Sequence, residues 1–127
     1  MIGIVGAESS GKSTLAAALA AALPAELVSE YLRTFVDEHG HAPTRSEQAT
    51  VMRRHIALED AALSRAPTTG WVVSDGGTLM TAVYSLVYYQ DPTLMDEAFT
   101  HLRRYEVTVW CDADIAWIAD PGQRDGP

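Results

Sequence analysis

Residues 6–14, GAESSGKST, admit very few folds. They satisfy G-x-x-x-x-G-K-[ST] at Gly6, Gly11, Lys12 and Ser13. The apolar run Ile2-Gly3-Ile4-Val5 precedes them and reads as a strand. Thr14-Leu15-Ala16-Ala17-Ala18-Leu19-Ala20 follows and is rich in helix formers. Strand, glycine-rich loop and helix in that order form a phosphate cradle. Glycine tolerates backbone angles that a Cβ would forbid. Successive N–H groups then converge on an anion, and the helix N-terminus adds partial positive charge. In such a loop Lys12 reaches the β and γ phosphates and the Ser13 hydroxyl ligates Mg²⁺.

The rest of the chain alternates strands with helices. A helix from about Lys12 to Leu23 stops at Pro24, and Glu26–Ser29 reads as a second strand. Ser29 is placed to cap a helix with Tyr31, Leu32, Phe35 and Val36 on one face, closed by Gly40. Thr44-Arg45-Ser46-Glu47 is a capping box for a long helix reaching about Arg65. Trp71–Ser74 reads as a third strand ending at Asp75, with Thr78 placed to cap a helix over Leu79–Tyr89. Asp91-Pro92 restarts a helix through Leu94, Ala98 and Leu102. Val107–Trp110 reads as a fourth strand, and Ile115–Ala119 as a short helical turn. This alternation predicts a three-layer α/β/α fold on a parallel sheet, with strand order 2-3-1-4 by analogy with kinase-type P-loop folds. Residues 1–127 are expected to be a single domain, with a lid segment at about 113–127.

Composition narrows the partners. Seventeen acidic and nine basic residues leave a net charge of −8, which repels a phosphate backbone and argues against nucleic acid. The apolar run Leu15–Leu23 lacks the basic flank of a signal peptide, and no run is long enough for a membrane span. The single cysteine, Cys111, excludes an internal disulfide framework and suits a reducing cytoplasm.

Ligands of parallel sheets bind beyond the carboxyl ends of the strands. This makes Glu30 and Asp75 informative beside the glycine-rich loop. A GTP switch would need D-x-x-G at Asp75 and an N-K-x-D elsewhere; the sequence has neither. Motor-type ATPases usually follow the strand acid with a water-activating glutamate; here Gly76 follows. A hydroxyl on a small molecule is therefore the favoured phosphate acceptor. Asp75 can hold Mg²⁺ or simply form a turn before Gly76-Gly77. Glu30 can activate the acceptor or serve as a first-turn acid favoured by the helix dipole. Arg33 can bind phosphate or substrate, or be a solvated charge. Arg124, in a Gly/Pro-rich tail, can close over phosphate or be a frayed terminal residue. Tyr84, Tyr88, Tyr89 and Trp117 can line a pocket or pack. His39 and His41 lack a cysteine partner and make a weak metal pair, while His55 and His101 read as packing or surface residues.

Four blocks taken together, GAESSGKST, SEYLRTFVDE, VVSDGGTLMTAVYSLVYYQD and YEVTVWCDADIAWIADPGQRDGP, resemble the NadR-type nicotinamide riboside kinase domain and its AAA-family ATP-binding relatives. They occur in the family's order over nearly the whole chain. The resemblance implies ATP- and Mg²⁺-dependent transfer to a nucleoside-type hydroxyl in NAD salvage. It implies phosphate binding by Gly6, Glu8, Ser9, Ser10, Gly11, Lys12, Ser13 and Thr14. It implies metal binding by Ser13 and Asp75, and substrate contacts by Glu30, Tyr31, Arg33 and Asp120. Catalytic roles fall to Lys12, Glu30, Asp75 and, in the lid, Arg124.

Kinases of this type often carry D-T-D after the third strand; here Gly77 replaces the second acid. They also continue past the lid into a helix, a fifth strand and a final helix. The fifth strand and the purine-contacting segment are therefore expected outside these residues. The uncharged fourth strand is expected to be an edge, so that either copies self-associate across it or a C-terminal part beyond these residues covers it. Competing readings are a non-catalytic ATP-binding sensor and a phosphate-binding fragment.

Overall fold

The computed structural model describes residues 1–66 and 70–118. Four parallel strands, β1 (Ile2–Gly6), β2 (Glu26–Val28), β3 (Val72–Asp75) and β4 (Val107–Cys111), form one sheet in the order β2-β3-β1-β4. The expected order is the observed one. The helices are α1 (Lys12–Ala22), α2 (Tyr31–His39), α3 (Gln48–Arg65), α4 (Gly77–Tyr89) and α5 (Met95–Leu102).

Alternation along β1 sorts residues between two layers, because successive side chains point to opposite faces. Ile2 and Ile4, with Val73 of β3, pack against Ala16 and Ala20 of α1. On the other face Met1, Val28 and Val72 meet Ala62 of α3 and Ala66, which caps its C-terminus. A third cluster, Met52, Ala82, Leu94 and Ala98, joins α3, α4 and α5. Alanine on α1 lets that helix lie close to the sheet, which brings the loop at its N-terminus over the strand ends.

Several helix ends follow the local chemistry. The Glu47 carboxylate accepts the Thr44 N–H at 2.8 Å, completing a capping box before α3. Gly40 closes α2 in the left-handed conformation at φ 73°. Asp91 accepts the Thr93 N–H at 3.0 Å where the chain restarts towards α5.

Three local expectations are corrected. Glu30, not Ser29, is the N-cap of α2, and it makes no side-chain capping bond. Gly76 caps α4, so Thr78 lies buried inside the first turn. Residues 115–118 are not helical. The Ile118 carbonyl instead accepts the Ser9 hydroxyl at 2.9 Å, so a tertiary bond to the glycine-rich loop displaces the local helical preference. Ala119 lies outside the described residues.

β1 pairs with β4 in the register Ile2↔Val107 to Gly6↔Cys111. Among the described residues no strand pairs with the outer side of β4. Val107 is 50% exposed and Trp110 68%. An open apolar edge of this kind predicts self-association. Light scattering at rising concentration should report a mass above the monomer, and Trp110→Lys should shift it towards the monomer. A monomer at every concentration would contradict the expectation.

Candidate functional site

Backbone geometry builds the phosphate loop. Gly6 ends β1 where a Cβ would lie 2.5 Å from the Cys111 carbonyl oxygen, so any side chain there would push β4 away. Gly11 caps α1 at φ 82° without a side-chain hydrogen bond, leaving the first helical N–H groups directed outwards. The Lys12 side chain is buried and its ammonium donates to the Ala7 carbonyl at 2.6 Å. The Ser10 hydroxyl donates to the same carbonyl at 2.8 Å. The loop thus curls around its own lysine and concentrates positive charge at its centre.

Parallel pairing sets the second element. Ile4 of β1 lies opposite Asp75 of β3. The Asp75 carboxylate is therefore beside the loop that begins two residues later. It is buried and accepts the Ser13 hydroxyl on Oδ2 at 2.6 Å. Its other oxygen, Oδ1, is buried without a hydrogen-bond partner among the described residues. A buried carboxylate oxygen normally has partners. Here the orphan oxygen sits beside a hydroxyl and an anion cradle. That donor set fits Mg²⁺, which takes one or two carboxylates, phosphate oxygens and water. Ser13 and Asp75 would hold it.

Glu30 completes the site from α2. Gly76 and Gly77, at φ 78° and 65°, admit no bulk beside it. A Cβ on Gly76 would lie 2.9 Å from Glu30 Oε1, and one on Gly77 would lie 2.8 Å from the Tyr105 hydroxyl. Position 77 therefore has no room for a side chain unless Tyr105 shifts. Desolvation pushes the Glu30 carboxyl above its ordinary value; the Lys12 charge opposes that push and Asp75 adds to it.

These groups open on a cavity of about 380 Å³. Glu8, Ser9, Ser10, Gly11, Lys12, Ser13 and Thr14 line one wall. Glu30, Arg33 and Asp37 supply charge at another, and Leu32, Val36, Ala42, Tyr84 and Tyr88 supply an apolar surface. Ile115, Ala116 and Ile118 border it from the segment after β4. An apolar pocket with a few convergent polar groups is the usual form of a small-molecule site.

Most of the expected residues meet here; Asp75, Tyr31, Tyr89 and Trp117 do not, and Trp117 is absent from the lining although Ala116 and Ile118 on either side of it are present. Asp75 stands behind Ser13 and is not among the lining residues. Tyr31 turns its backbone N–H towards His55 Nδ1 at 3.4 Å, and its side chain does not line the cavity. Tyr89 donates to the Pro43 carbonyl at 2.6 Å instead of joining Tyr84 and Tyr88. Asp120 and Arg124 lie outside the described residues, as does most of the expected lid. His39 stacks on Phe35 with ring centroids 4.0 Å apart. No cluster of three or more His, Cys, Asp or Glu suited to a metal occurs among the described residues. Gln48, Leu32, Val36 and Asp37 were not anticipated as lining residues; the Leu32–Val36 spacing of one helical turn, so close to Glu30, was the available signal.

A family model described as an AAA domain matches residues 1–127. The chain belongs to the AAA domain family. Comparison with curated proteins found no match. Membership makes this a nucleotide-binding P-loop protein, in a family that generally binds ATP with Mg²⁺. Among the described residues no helix is long and apolar enough to cross a membrane.

For this AAA-domain protein, Lys12→Ala should weaken ATP binding by about 10- to 100-fold, the scale of one lost charge-assisted hydrogen bond. Calorimetry with a circular-dichroism control measures it. Unchanged affinity in a folded variant would remove Lys12 from the phosphate site.

Proposed function

We propose that this protein is an ATP- and Mg²⁺-dependent small-molecule kinase, with a nucleoside-type hydroxyl of the nicotinamide riboside kind as acceptor, serving NAD salvage. One observation carries the reading. The Glu30 carboxyl faces the Lys12 loop across a pocket with an apolar wall, and Gly76 and Gly77 follow Asp75 where a water-activating acid would otherwise stand. The arrangement favours a bound organic hydroxyl over water as the group that attacks phosphorus.

The chemistry follows from the residues. The acceptor O–H hydrogen-bonds to ionised Glu30, its oxygen forms a bond to the γ-phosphorus, and its proton passes to the carboxylate. The bond from the γ-phosphorus to the bridging oxygen breaks, and ADP leaves with that electron pair. Lys12 and the loop N–H groups stabilise charge on the phosphoryl oxygens. Ser13 and Asp75 would hold Mg²⁺, which when bound would supply positive charge against the phosphates. Arg33, Tyr84 and Tyr88 line the same cavity, which supports a role for Arg33 in binding the acceptor and for the tyrosines in contacting a planar group on it. Asp120 and Arg124 are assigned to closure over the phosphates by the family resemblance alone.

ADP release measured with and without nicotinamide riboside, across a panel of nucleosides, tests the reading. Acceptor-dependent release supports it. ATP binding without turnover favours a sensor, and no nucleotide binding favours an inactive fragment. Glu30→Gln should lower acceptor-dependent turnover by ~10²–10⁴ while sparing ATP binding. Full turnover in that variant would exclude Glu30 from the mechanism.

The pH dependence has a definite sign. A base works ionised, and burial raises Glu30 above its ordinary value of 4.5. Turnover should therefore fall on acidification, with the acid limb displaced upward from that ordinary value. A limb at or below the ordinary value would contradict the assignment.

A further inference from the structure

A second polar cluster lies behind the site. Glu59, mid-way along α3, is 0% exposed. Its Oε1 accepts the Ser74 hydroxyl and the Tyr105 hydroxyl, each at 2.5 Å, and its Oε2 accepts from His101 Nε2. Desolvation alone would raise this carboxyl. Hydrogen bonds from His101, His55, Ser74 and Tyr105 outweigh it and hold Glu59 well below the usual range. Burial and the Glu59 charge push the Tyr105 hydroxyl far up, so it remains a donor.

Donor and acceptor chemistry fixes the protons. A backbone N–H only donates, so the Tyr31 N–H makes His55 Nδ1 an acceptor. His55 therefore carries its proton on Nε2, which is shared between Ser74 Oγ at 2.8 Å and, more distantly, Glu59 Oε1 at 3.3 Å. Ser74 passes its own hydrogen to Glu59. Arg104 approaches His101 Nδ1 at 3.4 Å and only donates, which leaves His101 Nε2 to carry the proton towards Glu59. One directed chain thus runs from Tyr31 N–H through His55 and Ser74 to Glu59.

The ends of that chain matter. Tyr31 follows Glu30, and Ser74 precedes Asp75. Helix α2 has no side-chain cap of its own, so His55 of α3 supplies an acceptor for an N–H at its start. We infer that His55 is a positioning residue: anchored through Ser74 to Glu59, it holds the Tyr31 amide and thereby sets the Glu30 carboxylate against the phosphate loop. The inference rests on the reading of Glu30 as the group that faces the acceptor.

Two substitutions separate positioning from simple packing. An asparagine amide oxygen can stand near the place of Nδ1, and a glutamine amide nitrogen near that of Nε2. His55→Asn therefore keeps the acceptor for Tyr31 and loses the Ser74 anchor. His55→Gln keeps the anchor and loses the acceptor. His55→Gln should lower kcat about 10- to 100-fold, with KM for ATP within about twofold, because small displacements of a reacting group are that costly. His55→Asn should retain most of kcat. Exchange of the Tyr31 amide, followed by ¹⁵N NMR, should accelerate in His55→Gln and stay protected in His55→Asn.

Equal kcat losses in the two variants, or an unchanged Tyr31 exchange rate in His55→Gln, would overturn the inference. Where His55→Gln fails to fold, ¹⁵N NMR of the His55 ring in the unsubstituted protein serves: a proton on Nε2 with Nδ1 accepting supports the inference, and a proton on Nδ1 overturns it. Absence of acceptor-dependent turnover in the unsubstituted protein would sink the kinase reading alone, and the Tyr31 amide would still decide the clamp.

Discussion

The Ser13–Asp75 hydrogen bond, at 2.6 Å, depends on β1 and β3 being parallel neighbours. Were β1 and β3 not neighbours, the glycine-rich loop would open beside a different strand end. The adjacency brings a hydroxyl at the start of α1 to a carboxylate that lies 62 residues further along the chain. It also leaves one buried carboxylate oxygen of Asp75 without a hydrogen-bond partner among the described residues, which folded proteins seldom tolerate unless a ligand is to be held there. The remaining site parts are arranged around this pair: Lys12 within the loop, Glu30 over Gly76, and the apolar wall of α2 and α4 beyond.

Charge is buried here in two different ways. Glu59 is surrounded by donors and stays ionised in the core, where it joins α3, β3 and the turn before β4. Satisfied networks of this kind specify a unique packing, and an incomplete one would be costly. Glu30 has fewer compensating partners, and its desolvation leaves it easier to protonate. The contrast suits their places. One carboxylate holds structure, and the other stands where a proton can be taken up.

Much of this was legible in the sequence because it rests on local chemistry. The loop, the strand acids and the capping box at Thr44–Glu47 each depend on residues close together in the chain. Alternation of strands and helices indicated the parallel sheet, and its order came by analogy with kinase-type P-loop folds. The Glu59 cluster was not legible, because its donors come from positions 15 to 46 residues away and look like ordinary helix or strand residues. Only the His55-x-x-x-Glu59 spacing, one helical turn, carried a trace of it. The helical turn expected at 115–119 failed for the same reason. Ser9, over a hundred residues earlier, takes the Ile118 carbonyl, and no local preference reports that bond.

The direct test of phosphoryl transfer to an organic hydroxyl is the fate of the γ-phosphorus itself. ³¹P NMR of ATP and Mg²⁺ with the protein and a nucleoside panel distinguishes a new phosphomonoester from inorganic phosphate. The account predicts a phosphomonoester resonance that grows with ADP and requires both Glu30 and the nucleoside. Inorganic phosphate as the sole product, formed at the same rate with or without nucleoside, would contradict it.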